Sequence, residues 1–498
     1  MNTHLREDCE HNRQMVSLVR PRDWGELARG DTYDLVAIGG GTAGMVASAG
    51  AAILGANAAM IERSLMGGDC LVTGCVPSKA LIRAGRAAHA ARTASRFGIR
   101  TEVEVDFGKV MDRLRQNRAE VARDDSAAHF ADRGVHVLFG QATFTGPDSL
   151  ELDGRPVRFK RAVIATGARP LLPPIAGVEE VGALTSDTLF ELESAPRRLV
   201  VLGGGPIGCE IGQAMSRLGC EVTIVEMQPS LLPRDDPKAG SVLAEAFAAE
   251  GITVRVGVSC VELRRDGEDT VVRLEGAEDL RCDKVLVAVG RSPNTEGLGL
   301  EAAGVDYDVT GVTVNKYHRT SNRRIYAAGD ICSPLKFTHA AYAQAEYAVF
   351  NALFPVWFNA RDRVMPRVTF TDPEIAHVGL SHAELVALGD RVHTVEVAAA
   401  SIDRFKLDGA TRGFAKVHLA RGSDRILAAT VVCDGAGELI AALGLAMTKG
   451  LGLAAVGDTI HAYPTRSELI RKVADAYNLT RITPSVKWAL GSWLRWLR

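Results

Sequence analysis

Asp34-Leu35-Val36-Ala37-Ile38-Gly39-Gly40-Gly41-Thr42-Ala43-Gly44 decides the fold. A short apolar strand runs into a glycine turn, and an alanine-rich helix follows to about Leu54. The spacing Gly39-x-Gly41-x-x-Gly44 provides a tight turn, close backbone approach to a pyrophosphate and close helix packing. The helix N-terminus adds free N–H groups and the positive end of a dipole. Ala58-Ala59-Met60-Ile61 reads as the next strand, and Glu62 at its end is placed to accept hydrogen bonds from an adenosine ribose.

The pattern recurs 164 residues later: Arg198–Leu202, then Gly203-Gly204-Gly205-Pro206-Ile207-Gly208, a helix to about Leu218, and the strand Glu221–Glu226. A single glycine fingerprint is weak, because glycine clusters also make plain turns. Two copies in strand–turn–helix–strand context, each closed by an acid, indicate two dinucleotide sites. Glu226 grips ribose hydroxyls and repels a 2′-phosphate, which favours NADH over NADPH; Arg234, eight residues on, would relieve that repulsion.

Shortly after Glu62 stands Gly67-Gly68-Asp69-Cys70-Leu71-Val72-Thr73-Gly74-Cys75-Val76-Pro77-Ser78-Lys79. Two thiols beside a redox cofactor can cycle between dithiol and disulfide. In a regular helix a five-residue spacing leaves the Cα atoms roughly 8–9 Å apart, and a disulfide needs about 4.4–6.8 Å. A bridge would therefore require a break in the helix, which Gly74 and Pro77 suit. Lys79 and a local helix N-terminus would favour thiolate. Two structural cysteines, or half of a zinc site with His89 nearest, are the alternatives; no metal site is read.

Composition narrows the rest. The chain has 498 residues, which suggests about three domains, and its net charge of −2 argues against nucleic acid as a partner. No uncharged apolar run approaches the roughly 18 residues of a membrane span, and Met1 to Gln14 does not read as a signal peptide. Nine scattered cysteines fit a reducing, cytoplasmic setting better than a disulfide framework. Cys209 and Cys220 are expected to pack. Residues 1–30 show no periodicity, although Pro21–Trp24 would dock on the first nucleotide domain. Asp112 to Asp125 reads as a solvated helix face. Trp488, Leu490, Trp493, Leu494 and Leu497 form an apolar set in the tail, with Lys487, Arg495 and Arg498 beside it. That set would contact a membrane surface, or pack on the dimer.

From about Tyr33 to Pro484 these segments resemble, in order and spacing, the class I pyridine nucleotide–disulfide oxidoreductases. The resemblance implies that Gly39, Gly41, Gly44 and Glu62 hold FAD, and that Gly203, Gly205, Gly208 and Glu226 hold the nicotinamide cofactor. Cys75 would face the flavin and Cys70 the substrate, joined as a redox-active disulfide. Lys79 would pair with Glu210 beside the flavin. Thr166 and Gly167, with Gly290 of Ala288-Val289-Gly290-Arg291, match the short strands that close the nucleotide units. Asp330 of Ile325–Asp330 would meet the ribityl chain, and His339 and Ala340 the flavin pyrimidine. Pro366–Glu374 resembles the start of the interface domain.

One departure bears on substrate. Disulfide-reducing members carry a basic histidine in His-Pro-Thr-x-Ser-Glu, supplied by the partner subunit. Here the run is His461-Ala462-Tyr463-Pro464-Thr465-Arg466-Ser467-Glu468, so Tyr463 occupies the base position. A phenol with a pKa near 10 is a poor base at neutral pH. His461 reads as structural. Tyrosine here resembles the mercuric reductase branch, but the tail lacks that branch's cysteine pair, and Cys9 stands alone where its metal-binding domain would be.

The reading is an α/β chain with two Rossmann-like nucleotide-binding domains, for FAD and NAD(P), and a C-terminal α+β dimerisation domain. Residues 1–30 are an extension; 31–175 and 306–363 bind FAD; 176–305 bind NAD(P); 364–484 form the interface domain; 485–498 are the tail. The expected activity is NAD(P)H oxidation through FAD and Cys70/Cys75 by a homodimer, with a soft metal or small molecule as acceptor. Tyr463 and Glu468 would form the proton-handling end. A dihydrolipoamide dehydrogenase and a non-catalytic flavin sensor are the rival readings.

Overall fold

The computed structural model describes residues 5–6, 8–25, 32–355, 357–359 and 364–498. The chain divides into two compact units. One comprises Met1–Gly203, Ile211–Val225 and Val258–Asp362; the other comprises Gly204–Glu210, Glu226–Gly257 and Arg363–Arg498.

The first unit is built on a seven-stranded sheet whose strands are β1 (Thr32–Ile38), β2 (Ala58–Glu62), β3 (Val135–Phe139), β4 (Ala142–Gly146), β5 (Ser149–Leu152) and β6 (Arg155–Ile164), with Ile325–Ala327 as the seventh. Their order is β3-β2-β1-β6-β5-β4. β1 runs parallel to β2 and β6, with Leu35 opposite Ala58 and Arg161. Ile325–Ala327 adds in parallel to β6, so a segment 160 residues downstream returns to the first sheet. Residues of β1 and β2 are almost wholly buried, as expected where both faces of a parallel sheet are covered. The alanines of α2 (Thr42–Ile53) and of the helix Thr338–Leu353 let those helices pack closely on one face. The second fingerprint's strand, Arg198–Leu202, lies parallel to Glu221–Glu226 and to Lys284–Val287.

Part of the extension has a regular structure that its sequence does not suggest. Glu10–Val19 forms a helix, α1, and Met15 and Val19 are fully buried in a cluster with Met66, Leu71 and Val72. The pattern escapes notice because polar residues outnumber apolar ones and the contact stripe is narrow. Trp24 does dock on the first domain, donating from Nε1 to the Val137 carbonyl at 2.9 Å.

The expected solvated face at Asp112–Asp125 holds for Asp112, Arg113, Glu120, Arg123 and Asp124, which are exposed, but not for Arg115 and Arg118. Within α5 (Phe107–Val121), Arg115 and Arg118 are buried together with Met111 and Leu114. Arg118 donates to the Val72 carbonyl at 2.8 Å, to Asn12 Oδ1 at 2.8 Å and to Glu191 Oε1 at 2.6 Å. These three bonds make a guanidinium tolerable there, although its Nε has no hydrogen-bond partner among the described residues.

In the second unit, residues 367–369, 374–379, 426–433, 414–420 and 392–398 form an antiparallel sheet in that order. Helices Ala436–Thr448, Leu453–Asp458 and Glu468–Thr480 share its core. The tail forms a further helix, Pro484–Trp496.

Candidate active site

The two glycine turns have matching geometry. Gly39 and Gly203 adopt φ +109° and +110°, and a Cβ on either would collide with a carbonyl, of Ala165 at 2.3 Å or Ala288 at 2.5 Å. A Cβ on Gly44 would lie 1.7 Å from the Gly39 carbonyl oxygen, whereas a Cβ on Gly205 would meet nothing within 4 Å. The turn is tight where the helix must pack and open where a phosphate must approach. Glu62 accepts from Gly40 N and Ser64 N, both at 2.5 Å. Glu226 accepts from Gly204 N at 2.6 Å and Gln228 N at 2.7 Å. Each acid is thus fixed beside its own turn, as a ribose ligand must be. This construction fits an adenine dinucleotide in both copies.

The thiol segment breaks where helix geometry requires. α3 (Gly68–Val72) carries Cys70, and α4 (Cys75–Arg92) begins at Cys75. Between them Gly74 adopts φ −125°, ψ −113°, and a Cβ there would lie 2.6 Å from the Asp69 carbonyl oxygen. Neither sulfur is part of a disulfide in this structure. Hydrogen bonding to Cys75, followed by desolvation, pushes the Cys70 thiol far above its ordinary range. Cys75 Sγ lies 3.2 Å from Thr338 Oγ1, the first residue of the helix Thr338–Leu353. That helix N-terminus favours negative charge on sulfur. Thr338 stands next to His339 and Ala340, and its role as the thiol's neighbour was not read from the sequence. His339 stacks on Phe337 with ring centroids 5.4 Å apart, and Ala340 is buried. Lys79 lies one helical turn after Cys75 in α4.

Around the segment, Arg291 pairs with Asp69 and lies 3.6 Å from Asp330. Desolvation pushes Asp69 up to about 6 against the pull of Arg291, and burial raises Asp330. Thr166 and Gly167 are tied to Asn294: Thr166 Oγ1 donates to the Asn294 carbonyl, and Asn294 Nδ2 donates to the Thr166 carbonyl, both at 2.9 Å. Asn294 closes this crossing of Ala168–Pro170 with Arg291–Pro293, and Gly290 precedes it with φ +143°. Asn294 was missed in the sequence, where nothing marks it apart from its position after Arg291.

In the second unit, Glu210 is buried and accepts from Phe370 N at 2.9 Å. Tyr463 is 70% exposed, and its hydroxyl donates to Asp403 Oδ2 at 3.3 Å. The Asp403 charge and this bond raise the phenol's pKa, moving it further from a base. His461 Nε2 lies 3.4 Å from the Val456 carbonyl oxygen, in keeping with a structural role. Arg466 anchors the loop on Asp408 at 2.9 Å and Asp434 at 2.6 Å. Glu468 opens the helix Glu468–Thr480, and its buried Oε2 has no hydrogen-bond partner among the described residues. Asp403 and Arg466 carry no motif signal, and only the folded loop reveals them.

Residues 33–345 match the family described as pyridine nucleotide-disulphide oxidoreductase, and residues 365–474 match that family's dimerisation domain. A mercuric reductase of Streptomyces lividans is 37% identical over 89% of this chain and 96% of its own. A dihydrolipoyl dehydrogenase of Thermus scotoductus is also 37% identical, over 89% and 97%. Among solved structures, the Cu(II) complex of the HOCl-induced flavoprotein disulfide reductase RclA of Escherichia coli superposes with a TM-score of 0.81 at 27% identity, covering 90% of this chain and 99% of that one. LpdA of Mycobacterium tuberculosis gives 0.82 at 28%, covering 89% and 99%. With two glycine cradles and a thiol pair broken out of a helix, the chain belongs to the pyridine nucleotide–disulfide oxidoreductase family and is an FAD-dependent enzyme of that family.

Proposed function

We propose that this enzyme oxidises NADH and delivers two electrons through Cys75 and Cys70 to a soft electrophile of the Hg(II) class, and that it turns over disulfides poorly. FAD, when bound, supplies the relay between hydride and thiol chemistry. The chain's part is to bind, orient and hold protons. Gly39, Gly41, Gly44 and Glu62 hold the flavin dinucleotide, with Thr166, Gly167, Asp330, His339 and Ala340 around it. Gly203, Gly205, Gly208, Glu226 and Gly290 serve the nicotinamide. Glu226 favours an unphosphorylated ribose. On this reading residues 31–175 and 306–363 serve FAD and 176–305 serve NAD(P), and two copies assemble through the 364–484 domain, so that Tyr463 and Glu468 serve the partner's thiols. The dispersed cysteines favour a cytoplasmic setting; among the described residues no helix is long and apolar enough to cross a membrane.

The observation that carries the acceptor is Tyr463, turned to Asp403 where a base would stand. Reducing a disulfide consumes a proton overall: NADH + H⁺ + RSSR gives NAD⁺ + 2 RSH. Reducing mercuric ion releases one: NADH + Hg(II) gives NAD⁺ + H⁺ + Hg(0). Only the first needs an acid–base residue to manage the interchange thiol's proton. Two thiol sulfurs suit a soft ion, and the Streptomyces lividans relative is named for this activity. The Thermus scotoductus relative supports the rival, a dihydrolipoamide dehydrogenase. NADH oxidation by the FAD-loaded enzyme, compared across Hg(II), quinones, lipoamide and glutathione disulfide, separates the two. Hg(II) is expected to lead by at least about tenfold; efficient lipoamide turnover would overturn the assignment.

A further inference from the structure

We propose that the helix Pro484–Trp496 docks the enzyme on anionic lipid, lying flat among the headgroups. None of its residues is buried; Trp488 is 72% exposed, Trp493 57% and Trp496 73%. At about 100° per residue, Val486, Leu490, Trp493, Leu494 and Leu497 share one side, with Trp496 at its edge. Lys487 and Arg498 flank that side along the border away from Trp496, and Arg495 lies across the helix from it. This refines the sequence reading: Trp488 leaves the apolar set and emerges among the cations. Trp493 and Trp496 pair with centroids 5.1 Å apart, and indole rings suit the boundary between headgroup and acyl chain.

Charge selects the occupant. Arg481 to Arg498 contains four basic residues and no acid, within a chain of net charge −2. A surface of this sign, with a broad apolar stripe, matches anionic headgroups over a hydrocarbon edge. Thirteen residues reach only about 20 Å, short of the roughly 30 Å needed to span, so the helix lies in the plane. Its start is encoded locally: Thr483 Oγ1 accepts from Val486 N at 3.3 Å and proline occupies the first turn. The helix lies beyond residue 474, where the match to the family's dimerisation domain ends.

The test is co-sedimentation of the FAD-loaded full chain with vesicles. With about one-third phosphatidylglycerol in phosphatidylcholine, most of the protein is expected in the pellet, and with phosphatidylcholine alone most stays in solution. Raising salt to about 0.5 M should release it. Neutralising Lys487, Arg495 and Arg498 to Gln should weaken partitioning by about fivefold per charge, roughly a hundredfold together. Leu490→Glu with Trp493→Glu should abolish it. Flavin content and NADH oxidation of these variants should match the parent, which shows that the fold is intact. Absence of binding to anionic vesicles overturns the proposal, as does equal binding by both variants. Tail-dependent self-association without vesicle binding also overturns it and assigns the face to a second copy.

Discussion

The thiol segment and the Tyr463 loop are built to opposite standards. Around Cys70 and Cys75 the backbone is constrained at every step: Gly74 occupies a space that admits no Cβ, and Arg118 clamps the Val72 carbonyl. Around Tyr463 the loop is anchored by Arg466, but the phenol reaches solvent and is held by one long hydrogen bond to Asp403. On the proposed reading the thiol segment carries the electrons and the Tyr463 loop handles the protons. A change of acceptor needs only the second to move.

The sharpest way to break this comparison is to remove the sulfur. Cys75→Ser is expected to lower acceptor-dependent NADH oxidation by at least about 10⁴-fold, which is 5–6 kcal/mol of barrier. It should also abolish the long-wavelength thiolate–flavin absorbance on anaerobic reduction. Persistence of that band would show that Cys75 is not the flavin-facing thiol. Next in size is the clamp. Arg118→Ala leaves Asn12, the Val72 carbonyl and Glu191 with fewer partners and is expected to cost about 3–5 kcal/mol; Arg115, 3.7 Å from Glu191, holds the loss within that range. The melting temperature should fall, and the thiolate–flavin band should shift because the backbone between the thiols loosens. A fall in melting temperature with an unaltered band would reduce the clamp to a structural brace.

The sequence made these ends unequally legible. The glycine motifs announce themselves because at Gly39 and Gly203 a positive φ and a closed Cβ space leave no other residue. The break between Cys70 and Cys75 follows from helix rise and disulfide reach once the two are taken to bridge, a pairing that the family resemblance implies. Helix α1 could not be derived in this way, because its stripe is short and Asn12 and Arg118 become core residues only by finding each other across 106 positions. Polar residues read as solvated until their partners are known. Asp403 and Arg466 were hidden for the same reason: they act on Tyr463 and its loop through contacts between distant segments, and periodicity carries no trace of these.

Acid should separate the two ends further. His377, in the sheet of the Tyr463-bearing unit, is almost fully buried, with Nδ1 2.9 Å from Thr430 Oγ1 and Nε2 3.0 Å from the Leu380 carbonyl oxygen. Burial, with Arg367 and His418 adding repulsion, lowers it to about 4. The unfolded chain binds that proton near 6.5. Between these values the unfolded state holds more protons, so stability is full above about 6.5 and is lost as pH falls toward 4, by about 3 kcal/mol in all. Thermal melts from pH 7.5 to 4.5 should show this unit failing first, and His377→Gln should flatten the slope. An unchanged slope would assign acid lability to other groups.

The smallest effects test the loop itself. Tyr463→Phe removes only a weakly held, exposed hydroxyl, so Hg(II) turnover should stay within about twofold; a larger loss would make the phenol a participant in the chemistry. Tyr463→His instead restores a base whose pKa lies near neutrality. Glu468 already presents a buried carboxylate oxygen without a hydrogen-bond partner among the described residues, the kind of group that orients an imidazole. Lipoamide and glutathione disulfide turnover should then rise by about tenfold, at or below the low end of general-base effects, because Asp403 no longer has a phenol to hold and the new side chain must find its own rotamer. The gain should be absent in a Tyr463→His, Glu468→Gln double variant. If the single variant gains nothing while Hg(II) turnover is kept, the loop is shaped against disulfides by more than its missing base, and the two ends of the site differ in geometry as well as in proton chemistry.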